Sequence, residues 1–159
     1  MKMSNDEILT LHSSLRKLGN FRGVKFAYGV SKNISILERE VRSLTEAMKP
    51  SPEFSKFEEE RVALAKKHAK KDENGKEMTI IDGDITRYVM ENEAKFNKEF
   101  EVLKKKHKKA IDERKKQSEE FNELLKTESE IDLFKISLED VPSEISVAEM
   151  EIIKDIVKE

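Results

Sequence analysis

The sequence predicts a mainly α-helical protein: an elongated helical hairpin or coiled-coil-like bundle with a small β-hairpin excursion and a short C-terminal strand plus helix. Three observations carry this. Apolar residues recur at helical spacing through several separate stretches. The prolines and the Asn-Gly and Asp-Gly pairs fall between those stretches, not inside them. Charged residues make up 40% of the chain and apolar ones 36%, so each helix has room for only a thin apolar seam. Thin seams bury little per chain, which predicts association with copies of itself.

The first helix is expected from Ser4 to Leu18. Ser4 and Glu7 have capping-box spacing, and Ile8, Leu11, Leu15 and Leu18 share a face. Gly19 and Asn20 tolerate left-handed backbone angles and end it. The second helix is expected from Val24 to Met48, with Ala27, Val30, Ile34, Leu37, Val41, Leu44 and Met48 spaced alternately by three and four. That is the spacing of a coiled-coil seam. Pro50 and Pro52 stop it, since proline cannot donate into the helix ladder. A third helix starts with Ser51 as N-cap and Pro52 in the first turn, and ends near Lys71.

Residues 71–85 read as an exposed excursion: a turn at Asp72–Lys76, a short strand over Glu77–Ile81, and a second turn at Asp82-Gly83. The longest helix is expected from Tyr88 to Lys126, about 58 Å at 1.5 Å per residue. Its seam (Val89, Phe96, Phe100, Leu103, Ala110, Phe121, Leu124) turns polar at His107, Arg114 and Gln117. It is expected to fold back antiparallel on the earlier helices. Ile131, Leu133 and Ile136 alternate as in a strand, and Ser146 with Glu149 forms another capping box ahead of a last helix. The chain reads as one domain over 1–159: helices over 4–48, a long hairpin over 52–127, and a strand and helix over 128–159. Neither a tandem repeat nor a low-complexity tail is expected.

Lys plus Arg (31) nearly balance Asp plus Glu (33), which argues against bulk nucleic-acid binding but leaves room for a local basic pocket. Without cysteine there is no disulfide framework and no thiolate metal site. The stretch MKMSNDEI lacks the apolar region of a signal peptide, and no apolar run approaches 18 residues, so a cytoplasmic protein away from membranes is expected. His12, His68 and His107 lack metal-binding spacing, and Asp72, Asn74, Asp82 and Asp84 lack the calcium-loop pattern. No catalytic residues, metal or cofactor are expected.

The stretch LGNFRGVKFAYGVSKN, Leu18 to Asn33, is where specific chemistry concentrates. Lys25, Tyr28 and Lys32 fall on one helix face, and Arg39 extends the stripe by a heptad. Arg22 and the amides near Gly23 stand at the helix start, where the dipole favours anions. Gly29 leaves space beside Tyr28 for a ligand or another helix, and Tyr28 offers a flat face to a base and a hydroxyl to a phosphate. Arg22, Lys25, Tyr28, Lys32, Asn33 and Arg39 are therefore the candidate ligand-binding residues, for a phosphorylated small molecule. The plainer account is a solvated cationic flank pairing with nearby acids.

The order KFAYGVSKN, a coiled seam, KDENGK, EEFNELLKTESEIDLFKISLEDVP and a short capped last helix resembles a family of small uncharacterised helical proteins of tailed bacteriophages and prophages. The resemblance implies a viral protein acting in a bacterial host's cytoplasm or in virion assembly. It carries over no functional residue. Two roles follow as expectations: a non-enzymatic oligomeric protein that sequesters a nucleotide-like host-defence signal, or a structural, assembly or tail-associated protein whose seams contact another phage or host protein.

Overall fold

The computed structural model describes residues 1–18, 23–83 and 85–158. Among them the protein is mainly α-helical, in the order β1 (Lys2–Ser4), α1 (Asn5–Lys17), α2 (Val24–Ala47), α3 (Pro52–His68), β2 (Thr79–Asp82), β3 (Ile85–Tyr88), α4 (Glu93–Lys106), α5 (Lys108–Leu125), β4 (Glu128–Glu130), β5 (Ile136–Ser137), α6 (Val147–Ile153) and β6 (Val157–Lys158). The chain divides into two compact units, one made of Met1–Lys49 with Glu119–Glu159 and the other of Pro50–Ser118.

The unit built from both chain ends holds the core. The Ser4/Glu7 capping box forms as its spacing predicts, and so does the Ser146/Glu149 box at α6. Residues 2–4, for which no strand was expected, pair antiparallel with β4. Asn5, buried next to that pair, donates through its side-chain amide to the Leu124 carbonyl at 2.8 Å, which satisfies an acceptor in the last turn of α5. Ile8, Leu15, Phe26, Leu37, Ile131, Leu133, Ile136, Ile153 and Ile156 form one continuous apolar cluster. Ile131, Leu133 and Ile136 all enter this cluster, but the single strand expected through them does not form: β4 ends at Glu130, and of the three only Ile136 lies on a strand, β5, which pairs parallel with β6.

The seam of α2 is consumed within its own chain. Leu37 and Leu44 are buried, and Val30, Ile34 and Val41 pack on the core, but Ala27 is exposed. In the first half of the helix the buried stripe moves to Phe26, Gly29 and Asn33. The cause is residues 134–136, which lie against that side. A β-carbon on Gly29 would fall 2.5 Å from Ile136 Cγ1, so glycine here admits the protein's own β5, not a ligand or a second helix.

The unit of residues 50–118 is a helical hairpin with a β excursion. Ser51 caps α3 and Pro52 occupies its first turn. The Asp72 carboxylate accepts from the amides of Asn74 and Lys76 and shapes the expected turn. Beyond it β2 and β3 pair antiparallel around Gly83, whose φ of +60° suits glycine. The expected helix from Tyr88 to Lys126 proves to be two. α4 starts only at Glu93, capped by Asn92, and the helical geometry lapses at His107 (φ −106°, ψ 17°). The lapse coincides with the placing of the His107 ring against the Phe57 ring of α3, centroids 5.7 Å apart. Tertiary contact at that residue accompanies the break, where periodicity alone predicts continuity.

Candidate functional site

The first turns of α2 and the β5–β6 pair enclose a cleft of about 380 Å³. The buried Ile136, the half-buried Phe134 and the exposed Val24 give it apolar surface, and Lys25, Tyr28, Lys135, Lys158 and Asp140 complete the lining. The volume lies in the range of small-molecule sites. Three lysines against one aspartate give the lining a net positive formal charge.

The local sequence explains how each group arrives there. Lys25 and Tyr28 are three residues apart on α2 and share its outer face. Lys135 precedes β5, and Lys158 enters by pairing of Ser137 with Lys158 across the parallel β5–β6 ladder. Lys25 Nζ lies 3.1 Å from Asp140 Oδ1 and is still 74% exposed, so an anion can approach it without displacing the pair. Lys135 Nζ donates to the Asp155 carbonyl at 2.5 Å, so its ammonium head is already held by a group beside the cleft lining. Tyr28 is 58% exposed and stands edge-on to the Phe134 ring, centroids 5.8 Å apart. Lys32 Nζ sits 4.3 Å over the same Phe134 ring and 5.8 Å from the centre of Tyr28. The result is an aromatic step with the Lys32 cation over it.

The residues predicted from sequence divide accordingly. Lys25 and Tyr28 line the cleft, and Lys32 caps its aromatic wall. Arg39 is exposed further along α2, outside the cleft. Arg22 lies outside the described residues. Asn33 requires a correction: it is wholly buried and offers nothing to a ligand. Its side-chain amide donates to the Phe134 carbonyl at 2.9 Å, and its side-chain oxygen accepts from the Phe134 amide at 2.8 Å. An otherwise unpaired stretch of backbone is thereby satisfied inside the core, and the Phe134 ring is held where Tyr28 and Lys32 meet it. Asn33 is a positioning residue.

Lys135 and Lys158 are the members that sequence reasoning misses. They come from segments far from α2 in the chain, and neither stands in a local motif. The short alternating segment around Ile136 hints at a strand there, but the strand's partner is set by folding alone. No known protein family, curated protein or solved structure matches this chain.

Proposed function

We propose that the protein is a non-enzymatic, phage-type oligomeric binding protein that holds an anionic, nucleotide-like small molecule in the cleft between α2 and β5–β6. The observation that carries the reading is the convergence of Lys25, Lys135 and Lys158 on one cleft walled by Tyr28 and Phe134. Ammonium groups suit phosphate, and an exposed aromatic step suits a base. Lys32, held over Phe134, supplies a further cation next to the aromatic wall. Binding alone would withdraw a nucleotide signal on which a host's defence depends, and in this reading the protein works in the cytoplasm of an infected bacterium.

Calorimetry against a panel of cyclic and linear nucleotides tests it. Wild type should give a saturable heat with at least one of them. Lys25→Glu, Lys135→Glu and Tyr28→Ala should each weaken binding at least about tenfold with helicity intact, since each removes a contact worth more than about 1.4 kcal/mol in a partly desolvated site. Wild type giving no heat with any nucleotide removes the ligand reading.

A second reading, an assembly or tail-associated interaction protein, is favoured by one feature of the 50–118 unit. Its β2–β3 hairpin exposes Ile80, Ile81 and Ile85 by 60%, 76% and 56%. Aliphatic side chains left on both faces of a two-stranded ribbon suit a partner surface. Pull-down from infected cells should then recover a phage protein with wild type and lose it with Ile81→Asp.

A further inference from the structure

The outer face of the α3–α4 hairpin carries a regularity independent of the cleft. A short repeat exists here, contrary to the expectation of none. Residues 56–70 and 95–109 both read K-F-x-x-E-x-x-x-L-x-K-K-H-x-K. The two copies clasp each other reciprocally. Lys67 and His68 of the first approach Glu99 of the second at 2.8 and 3.1 Å, while Lys106 and His107 of the second approach Glu60 of the first at 2.8 and 3.1 Å. Each histidine ring also meets the other copy's phenylalanine, His68 with Phe96 and His107 with Phe57. The hairpin therefore has an internal pseudo-two-fold axis, perpendicular to the face.

Between the two clasps lies an open apolar groove of about 490 Å³, formed by Ala63 and Leu64 of α3 and Val102 and Leu103 of α4. Val102 is 65% exposed, and α4 contains no fully buried residue along its whole length. A 14-residue amphipathic helix whose apolar side chains are at most half-buried (Phe96, Phe100, Leu103) has an unfinished packing layer.

The charges at the corners of this groove identify what finishes it. Along α3 the corners are Glu60 and Lys67; along α4 they are Glu99 and Lys106. Glu60 lies across from Lys106 and Lys67 across from Glu99, so like charges are diagonal and opposite charges adjacent along every edge. Lay an identical face on this one by a two-fold axis parallel to the helices: α3 covers the copy's α4, and each carboxylate meets an ammonium. Use instead a two-fold axis across the helices: α3 covers the copy's α3 in reverse, and again each carboxylate meets an ammonium. Few surfaces are self-complementary in both arrangements, and this one is because of its repeat. We infer that the α3–α4 groove docks a second copy of this chain, the two hairpins closing into an antiparallel four-helix layer with Ala63, Leu64, Val102 and Leu103 at its centre. The interface is isologous, and the α2 seam, already buried in its own chain, takes no part in it.

Sedimentation of the full chain over about 1–100 µM tests the inference; the span brackets the dissociation constants of modest isologous interfaces. Wild type should show a monomer–dimer equilibrium. Val102→Glu, at a position exposed in the single chain, should keep the helicity and weaken the dimer more than about tenfold, because paired copies would bury two carboxylates in an apolar centre. A wild type that stays monomeric overturns the inference. So does a dimer unaffected by Val102→Glu but lost with Ile81→Asp, which would assign association to the β2–β3 ribbon. The exchange Glu60→Lys with Lys106→Glu keeps the pair inside the hairpin but makes the groove edge of α3 wholly cationic and that of α4 wholly anionic. It should weaken a dimer that stacks α3 on α3 and preserve or tighten one that stacks α3 on α4, so comparison with Val102→Glu fixes the axis; aggregation through a new surface, with no discrete dimer in any variant, would again overturn it.

Discussion

The two units of this chain solve the same compositional problem in different ways. Residues 1–49 with 119–159 gather apolar side chains from three helices, three short strands and the segments between them into one closed cluster, with Ile8, Leu37, Ile153 and Ile156 fully buried. In residues 50–118 the buried apolar set is Phe57, Ala65, Ala69 and Ala110, three of them alanines. Of the large aliphatics there, Ile80, Ile81, Ile85 and Val102 are at the surface, and Val62, Leu64, Val89, Leu103 and Ile111 are only half-buried. The first unit closes on itself because residues 128–158 return to cover α1 and α2. The second has two faces of α3 and α4 and nothing of its own to cover the outer one. A chain this rich in charge completes one core, and the apolar groove of α3 and α4 stays open.

The contrast can be broken most directly by truncating equivalent side chains. Leu37→Ala should cost about 3 kcal/mol, since it opens a cavity in a filled cluster. Leu64→Ala, half-buried in the groove, should cost about 1 kcal/mol or less in the monomer. Urea unfolding of both proteins checks the pair; equal losses would mean that the second unit has a closed core after all.

Asn33→Ala should follow in size, at about 2 kcal/mol, because it strands a buried amide and carbonyl of Phe134. It should also weaken binding in the cleft while leaving the charge of the lining unchanged. A variant as stable as wild type would contradict the clamp.

Gly29→Ala should be smaller, a net loss of about 1 kcal/mol. The added carbon crowds Ile136, and part of that is offset by the better helix propensity of alanine. A gain in stability would show that Ile136 yields freely.

The smallest effect is a pH dependence that is greatest in the second unit; in the first, the Ser4 amide and hydroxyl lower the Glu7 carboxyl as well. Lys67, and then His68, hold the Glu99 carboxyl down to about 2 from its ordinary 4.5. Lys106, and then His107, lower Glu60 in the same way. A carboxyl lowered by folding adds stability that is complete above about pH 4.5 and fades as pH falls toward 2. Amide protection in α3 and α4 should therefore drop over that interval ahead of protection in α1 and α2. Glu99→Gln should flatten the dependence, and identical profiles for both proteins would remove the pair from the account.

Much of this architecture was legible from local chemistry. The capping boxes at Ser4 and Ser146, the Ser51–Pro52 start and the Asn-Gly turn each act over three or four residues, and each forms where its spacing predicts. The candidate site was half legible. Lys25 and Tyr28 share a helix face that period alone predicts, but Asn33 lies on the buried side, where only the approach of Phe134 decides its partner. The repeat shared by α3 and α4 was present in the sequence as well, hidden among many other lysines and glutamates until the reciprocal clasps singled out its members.

The sequence by itself determined the helical class, the capped starts of α1, α3 and α6 and the turn at Asp72–Lys76, because hydrophobic period, caps and turn chemistry act between near neighbours. Only the tertiary structure decided which strands pair, that His107 interrupts a helix, that Asn33 holds Phe134, and that Lys135 and Lys158 join Lys25 at one cleft. Those outcomes depend on segments up to a hundred or more residues apart meeting in the core, and no local pattern encodes which of them meet.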